Sequence, residues 1–421
     1  MNNLTIKSAP PMAKKKWHFF IIEDDDTIVK SYKKCLEKHG HLVSRHNPRD
    51  KALNEVMTVI KKLQPDCILC NLNLLQVDGL TLLQNLKKLP KPPYFISLSA
   101  DYDHSVAWDH GLDGYINKPI DCKTFHADLQ EMLSGKMLIR FWGIRGSLPV
   151  PGKKTSRYGG NTNCVTLNFS INQFLIFDAG TGLKELSNHL VKADKFPMAA
   201  KFFISHPHYD HINGIPFFAP FYMEGNHFEL YGSNHGDLNI QELIEGQMDT
   251  VYFPITMQEF HSKPTFRNLE EGKFNSENLQ ISTIVLNHPG KCLGYRVQHK
   301  NKSFCYITDN ELLLEHDELF KPEDVDHLIH FIKDANFVVM DSTYNSDCEY
   351  EKKLNWGHSC VSRVIDVADK ANVKTLCLFH HDPDQYDKQI DEKLKNAKTL
   401  LKARGSKTRC IAAREGDKYF I

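Results

Sequence analysis

Residues 206–211 read His-Pro-His-Tyr-Asp-His and follow directly on the apolar run Lys201-Phe-Phe-Ile-Ser205. That run has the length and composition of a buried strand. At alternate positions of the extended segment after it, His206 and His208 point the same way, so both imidazoles can reach one cation. Asp210 and His211 come where the chain must turn, and they reach a second cation close by. Neutral imidazole and carboxylate are ligands that zinc, iron and manganese accept, and a hydrolytic site leaves a coordination position open. A polar strand-to-helix loop would explain one histidine; it does not explain four donors in six positions.

Further donors follow other β-type runs. Phe174-Leu-Ile-Phe177 ends at Asp178, and Ile281-Ser-Thr-Ile-Val-Leu286 leads to His288. Ser303-Phe-Cys-Tyr-Ile-Thr308 leads to Asp309, Phe337-Val-Val-Met340 to Asp341, and Thr375-Leu-Cys-Leu-Phe379 to His380. Each alone reads as a turn residue ending a strand. Five in succession read as loops gathered at one sheet edge, which is how a rigid scaffold presents a site.

With these residues on the page, the C-terminal part resembles the metallo-β-lactamase-fold hydrolases, in the branch of phosphodiesterases and tRNA 3′-end-processing endonucleases. Phe141-Trp-Gly-Ile-Arg-Gly-Ser147, Tyr158-Gly-Gly-Asn-Thr162, Asp178-Ala-Gly-Thr-Gly182, Trp356-Gly-His-Ser359 and Phe379-His-His-Asp-Pro383 support that placement. The resemblance covers residues 137–421 and implies a four-layer αβ/βα sandwich with two divalent metal ions, zinc foremost, manganese or iron otherwise. By the resemblance, His206, His208 and His288 hold the first metal. Asp210, His211 and His380 hold the second, Asp309 bridges, and Asp178 orients the histidine loop from behind. His381 competes with His380, but the alternation Leu376, Leu378, His380 favours the earlier residue. His358 resembles the histidine that protonates the leaving group, with Asp341 as its acidic partner and Asp210 at the reacting centre. Two cations about 3.5–4 Å apart clamp the attacking and leaving oxygens of a phosphoryl displacement. The loop from Arg145 to Asn161, with Lys153, Lys154 and Arg157, reads either as a phosphate cradle or as a solvated hairpin.

The N-terminal part alternates strand and helix. Lys16-Trp-His-Phe-Phe-Ile-Ile22 runs into Glu23-Asp24-Asp25, Cys67-Ile-Leu-Cys70 into Asn71, Tyr94-Phe-Ile-Ser-Leu98 into Ser99, and Gly114-Tyr-Ile-Asn117 into Lys118-Pro119. Helical patterns cover Thr27–Lys38, Asp50–Leu63 and Gly79–Leu89. This order argues for a doubly wound, flavodoxin-like parallel sheet. Residues 16–135 resemble the receiver domain of two-component response regulators. Glu23 and Asp24 match the acidic pair that binds magnesium, Ser99 and Lys118 the groups that contact the phosphoryl, and Tyr115 the switch aromatic. Pro65-Asp66 and Val77-Asp78-Gly79 match the flanking signature. The phosphate-accepting aspartate is replaced by Asn71, and an amide is not a useful nucleophile toward an acyl phosphate. The resemblance therefore implies a pseudo-receiver, a dimerisation or partner-binding module that controls the hydrolase.

Composition fits two domains in 421 residues, with a short join near residue 135 and a flexible tail over 1–15. Fifty-two basic and 52 acidic side chains cancel, which argues against a field-driven grip on bulk nucleic acid and toward a nucleotide or other phosphodiester. Eleven scattered cysteines without a secretion signal suggest reduced thiols and a cytoplasmic protein. Cys67 and Cys70, three apart on a strand, fall on opposite faces and read as packing. No apolar run reaches membrane-spanning length. The expected function is a dimetal phosphodiesterase under receiver control. A diiron oxygen- or redox-responsive protein is the alternative, although those relatives carry glutamate where His208 stands. A non-catalytic metal-binding scaffold is a third. Specificity is expected in residues 212–287, where Phe217, Phe218, Phe221, Tyr222 and Tyr252 serve either base stacking or core packing.

Overall fold

The computed structural model describes residues 16–47, 53–72, 78–99, 112–118, 122–133, 137–170, 173–193, 196–276 and 279–421. Packing divides the chain into two compact units that meet between residues 134 and 135. The expected tail over 1–15 lies outside the described residues.

In the first unit, strands β1 (His18–Ile22), β2 (Leu42–His46), β3 (Cys67–Asn71), β4 (Tyr94–Ser99) and β5 (Gly114–Asn117) form a parallel sheet in the order β2-β1-β3-β4-β5. Both faces are covered, so its central strands are apolar throughout. Phe19, Ile21, Cys67 and Leu69 pack toward one core, and Phe20, Ile22, Ile68 and Cys70 toward the other. Cys67 and Cys70 thus fall in opposite cores. The Asp26–Lys38 helix starts at Asp25, whose carboxylate accepts from the amides of Thr27 and Ile28, a typical N-cap. The second helix is described over Leu53–Leu63. The third ends at Leu86, three residues short of the expected Leu89; Lys87 is still helical, and Pro90, which disfavours a helical backbone at Leu89, follows.

The second unit holds two seven-stranded sheets among the described residues. The first uses β6 (Leu138–Gly143), β7 (Cys164–Ser170), β8 (Gln173–Phe177), β9 (Ala199–Phe203), β10 (His227–Gly232), β11 (Thr265–Asn268) and β19 (Lys418–Phe420), ordered β11-β10-β9-β8-β7-β6-β19. The second runs in chain order through β12 (Gly272–Ser276), β13 (Leu279–Leu286), β14 (Cys292–His299), β15 (Lys302–Ile307), β16 (Phe337–Asp341), β17 (Thr375–Phe379) and β18 (Arg409–Ala412). The return of β19 to pair with β6 closes the C-terminus onto the start of the domain.

Aromatic side chains fill the space between the sheets. Phe177 lies 5.5 Å from Phe203, 6.0 Å from Tyr295 and 5.4 Å from Tyr306, ring centre to ring centre. Helices Gly182–Ala193 on one outer face, and Val361–Lys370 and Asp387–Ala403 on the other, complete the layers. Strands β8 and β9 run parallel to each other in one sheet, and β15, β16 and β17 do so in the other, so their C-terminal ends deliver Asp178, the 206–211 loop, Asp309, Asp341 and His380 to the same edge. Fold and site share this one arrangement.

Candidate metal centre

Three of these edge residues have left-handed backbones: Asp178 (φ 55°), Asp309 (φ 42°) and His380 (φ 56°). Non-glycine residues rarely adopt this region, and it concentrates at functional sites. Each follows a buried strand, so the left-handed step breaks the ladder and turns the side chain toward the edge. The chain reverses again at Tyr209–Ile212, a single helical turn that brings Asp210 and His211 back to the histidines before it.

Two donor sets result, and a third group, Asp309, His358 and His380, overlaps both. Atoms of His206, His208, His288 and Asp309 lie within 4.8 Å of one another, and so do those of Asp210, His211 and His380. His206 Nε2 is 2.8 Å from His208 Nδ1, and His288 Nε2 is 3.2 Å from the same atom. Asp309 spans the sets: its carboxylate is 3.6 Å from His206, 3.8 Å from His288, 3.3 Å from His211 and 3.1 Å from His380. Asp210 Oδ2 is 3.2 Å from His211 Nε2 and 3.4 Å from His380 Nε2. Ligands at 2.0–2.1 Å around a tetrahedral ion stand about 3.3 Å apart, the middle of this range.

Outer hydrogen bonds fix which ring atoms face inward. His288 Nδ1 donates to the Gly357 carbonyl at 3.0 Å, and His211 Nδ1 to Asp178 Oδ2 at 2.7 Å. The Ser205 hydroxyl donates to Asp178 at 2.9 Å and so accepts from His206 Nδ1 at 3.1 Å. Thr343 Oγ1 donates to Asp341 at 2.7 Å and accepts from His380 Nδ1 at 3.1 Å. Each ring therefore turns its other nitrogen into the cluster, the one that a metal would take from the neutral tautomer. Burial, reinforced by neighbouring imidazoles, holds His206 well below its ordinary pKa and lowers His208, and burial lowers His288 as well. Burial also opposes a charge on His211, yet Asp210, Asp309 and Asp178 outweigh it and hold that ring well above its usual value. Burial raises Asp309, but His380 and His211 outweigh it and keep the carboxyl well below its ordinary range. Lone pairs facing buried carboxylates call for positive charge between them, and this donor set fits a pair of divalent cations.

Asp178 stands behind the cluster. It is fully buried and receives Ser205 N at 2.7 Å and the Tyr306 hydroxyl at 2.8 Å, besides His211. At the other rim, His358 Nδ1 donates to Asp341 Oδ2 at 2.9 Å, and its ring stacks 4.7 Å from His380. Burial lowers the His358 pKa, but Asp341 outweighs this and pushes it up to about 9. Asp341 is fully buried and also accepts from Thr343 N, so the turn it makes and the support it gives His358 coincide. His381 points away, with Nε2 donating to the Ala413 carbonyl.

Several partners were not legible beforehand. Asn163 Nδ2 reaches Asp210 at 3.1 Å and His211 at 3.0 Å, and Ser147 N donates to Asp210 at 2.8 Å. Gly146 lies where a Cβ would stand 2.1 Å from His380 Cε1, so the glycine loop is needed for close approach to that ring. Three cations of this loop, open in the sequence between a phosphate cradle and a solvated hairpin, have partners within the domain. Arg145 is fully buried and donates to the carbonyls of Gly159, Asp382 and Gln385, while Arg157 pairs with Asp391. Lys154 lies over the Tyr386 ring. In the 212–287 region, Phe218 and Phe221 belong to the core with Phe202 and Phe228, whereas Phe217 and Tyr252 are exposed.

In the first unit, Glu23 is buried at the end of β1. Its carboxylate accepts from Asn71 Nδ2 at 3.3 Å and from the Lys118 ammonium, with Asp24 beside it. Ser99 closes β4, but its side chain and that of Tyr115 lie outside the described residues, as do Val77 and Pro119. No helix among the described residues is long and apolar enough to cross a membrane.

Known proteins share both parts. Residues 174–381 match the Beta-lactamase superfamily domain, and residues 19–130 match the Response regulator receiver domain. A ribonuclease Z of Oceanobacillus iheyensis is 25% identical over 293 residues, covering 57% of this chain and 90% of that protein. A ribonuclease Z of Lactococcus lactis is 24% identical over 311 residues, 63% of this chain and 95% of its own. The metallo-beta-lactamase fold protein YhfI from Bacillus subtilis superposes with a TM-score of 0.50 at 18% identity, over 68% of this chain and 100% of its own. The chain is a response regulator receiver domain fused to a domain of metallo-β-lactamase fold that is homologous to ribonuclease Z.

Proposed function

We propose that the C-terminal domain is a dimetal phosphodiesterase acting on a nucleotide or related phosphodiester. The observation that carries this reading is the pair of donor sets sharing Asp309, with the His358–Asp341 pair set against them. His206, His208 and His288 would hold one cation, Asp210, His211 and His380 the other, with Asp309 common to both. When bound, such cations supply Lewis acidity toward phosphoryl oxygens and lower the pKa of water. The chain's own residues do the rest. Asp178 and Ser205 fix the ring orientations, Asn163 and Ser147 N hold Asp210, and His358, kept protonated by Asp341, delivers a proton to the leaving oxygen. The ribonuclease Z relatives support a phosphodiester substrate.

The test is a screen of the metal-loaded protein against bis-nitrophenyl phosphate, cyclic nucleotides, dinucleotides and short RNA. Hydrolysis of the activated ester and of at least one nucleotide phosphodiester is expected. Two bound metals with no cleavage of any of them would rule the reading out.

The N-terminal domain, in this proposal, controls the hydrolase without taking phosphate at residue 71. Asn71 lends its amide to Glu23, the carboxylate that also receives Lys118, so the pocket is internally bonded. Acetyl phosphate with Mg²⁺ is expected to leave the mass of the peptide containing Asn71 unchanged. A phosphoryl adduct there would overturn this part.

A further inference from the structure

We propose that Glu311 is a positioning residue that sets both a metal-facing imidazole and the proton donor through a single residue, Gly357. The carbonyl of Gly357 accepts from His288 Nδ1 at 3.0 Å, and its next neighbour is His358. Its backbone is left-handed, φ 83°, and an added Cβ would stand 2.0 Å from His288 Nδ1 and 2.6 Å from Pro289 Cδ. The Gly357 backbone therefore lies close against the imidazole, and small movements of it reach the ring.

Glu311 holds Gly357 by its amide. It lies two residues beyond Asp309 and is buried. Its Oε2 accepts from Gly357 N at 2.8 Å, and its Oε1 accepts from Asn355 N at 2.8 Å and the Tyr350 hydroxyl at 3.0 Å. Its backbone is tied to the residue before His288: Glu311 N donates to the Asn287 carbonyl at 2.8 Å, and Asn287 Nδ2 donates to the Glu311 carbonyl at 2.9 Å. One residue thus joins the His288 loop to the His358 loop. Bonds to an ionised carboxylate are roughly twice as strong as neutral ones, so the charge itself stiffens the junction. With Gly357 fixed, the His288 proton stays on Nδ1 and its lone pair faces His208 and Asp309, while His358 keeps its bond to Asp341.

The test uses the full chain with Glu311→Gln, which keeps shape but sets an amide nitrogen against a backbone N–H. Zn²⁺ is titrated by calorimetry into metal-free protein, and turnover is measured on a nitrophenyl and on a methyl phosphodiester. One of the two Zn²⁺ affinities is expected to fall by about 10–100-fold, the other to hold. The methyl ester, which needs the proton, is expected to lose at least about tenfold more rate than the nitrophenyl ester. Unchanged Zn²⁺ isotherms together with an unchanged ratio between the esters would overturn the assignment. Should the variant not fold, Gly357→Ala is read in the same assays, because it moves the peptide while leaving the carboxylate; wild-type behaviour there overturns it equally. The ester ratio rests on the phosphodiesterase reading. Wild-type protein that binds Zn²⁺ but cleaves neither ester would speak against that reading, and the isotherms alone would then decide the role of Glu311.

Discussion

Asp309→Asn is expected to fold and to lose turnover to background, together with at least one of its two cations. Asp309 alone faces both donor sets, with His206, His288, His211 and His380 all within 3.8 Å. Its carboxylate is the shared negative charge among five imidazoles, and an amide of the same shape supplies none of it. Asparagine is the informative substitution because residue 309 has a positive φ. Asparagine tolerates that backbone, whereas alanine would add about 1–2 kcal/mol of unrelated strain. Metal analysis and circular dichroism on the same sample separate lost chemistry from lost fold. Turnover within tenfold of wild type in Asp309→Asn would show that this carboxylate is not central.

The second large effect is expected at His358. Its Nδ1 donates to Asp341, which raises its pKa against burial, and it stands beside His380 at the rim. A proton delivered to the departing oxygen is worth about 10²–10⁴-fold when the leaving group is a poor one. His358→Ala should therefore lose that much on an alkyl or ribose phosphodiester and far less on a nitrophenyl ester, with both metals retained. Equal losses on the two substrates would mean that His358 does something other than donate a proton.

The donors themselves were legible in the sequence because each is either part of the dense 206–211 run or lies within two residues of the end of an apolar strand. That pattern survives folding, since parallel strands carry their C-terminal ends to one edge whatever the loops do. The layered architecture of the C-terminal part came from the resemblance, whereas the parallel sheet of the N-terminal part followed from its alternation of strand and helix. What escaped notice depends on loop conformation. Asn163 reaches Asp210 from a turn whose shape no periodicity encodes, and Glu311 looks like any acidic residue until its three donors from 350–357 are in place. Asn163 had one sequence signal, its place at the end of the Gly-Gly-Asn-Thr run. Arg145 was left between two readings for the opposite reason. A cation in a glycine-rich loop suggests an anion, but this guanidinium is consumed by backbone carbonyls inside the domain. The aromatic set at 217–222 divided because successive residues of a short helical turn face different ways, Phe218 and Phe221 inward and Phe217 outward.

The most direct test of the central claim is a crystal structure of the protein loaded with Mn²⁺ or Zn²⁺, with the ions located by anomalous scattering. Two ions are expected, one among His206, His208 and His288 and one among Asp210, His211 and His380, with Asp309 touching both. A single ion, or ions bound away from Asp309, would contradict the account.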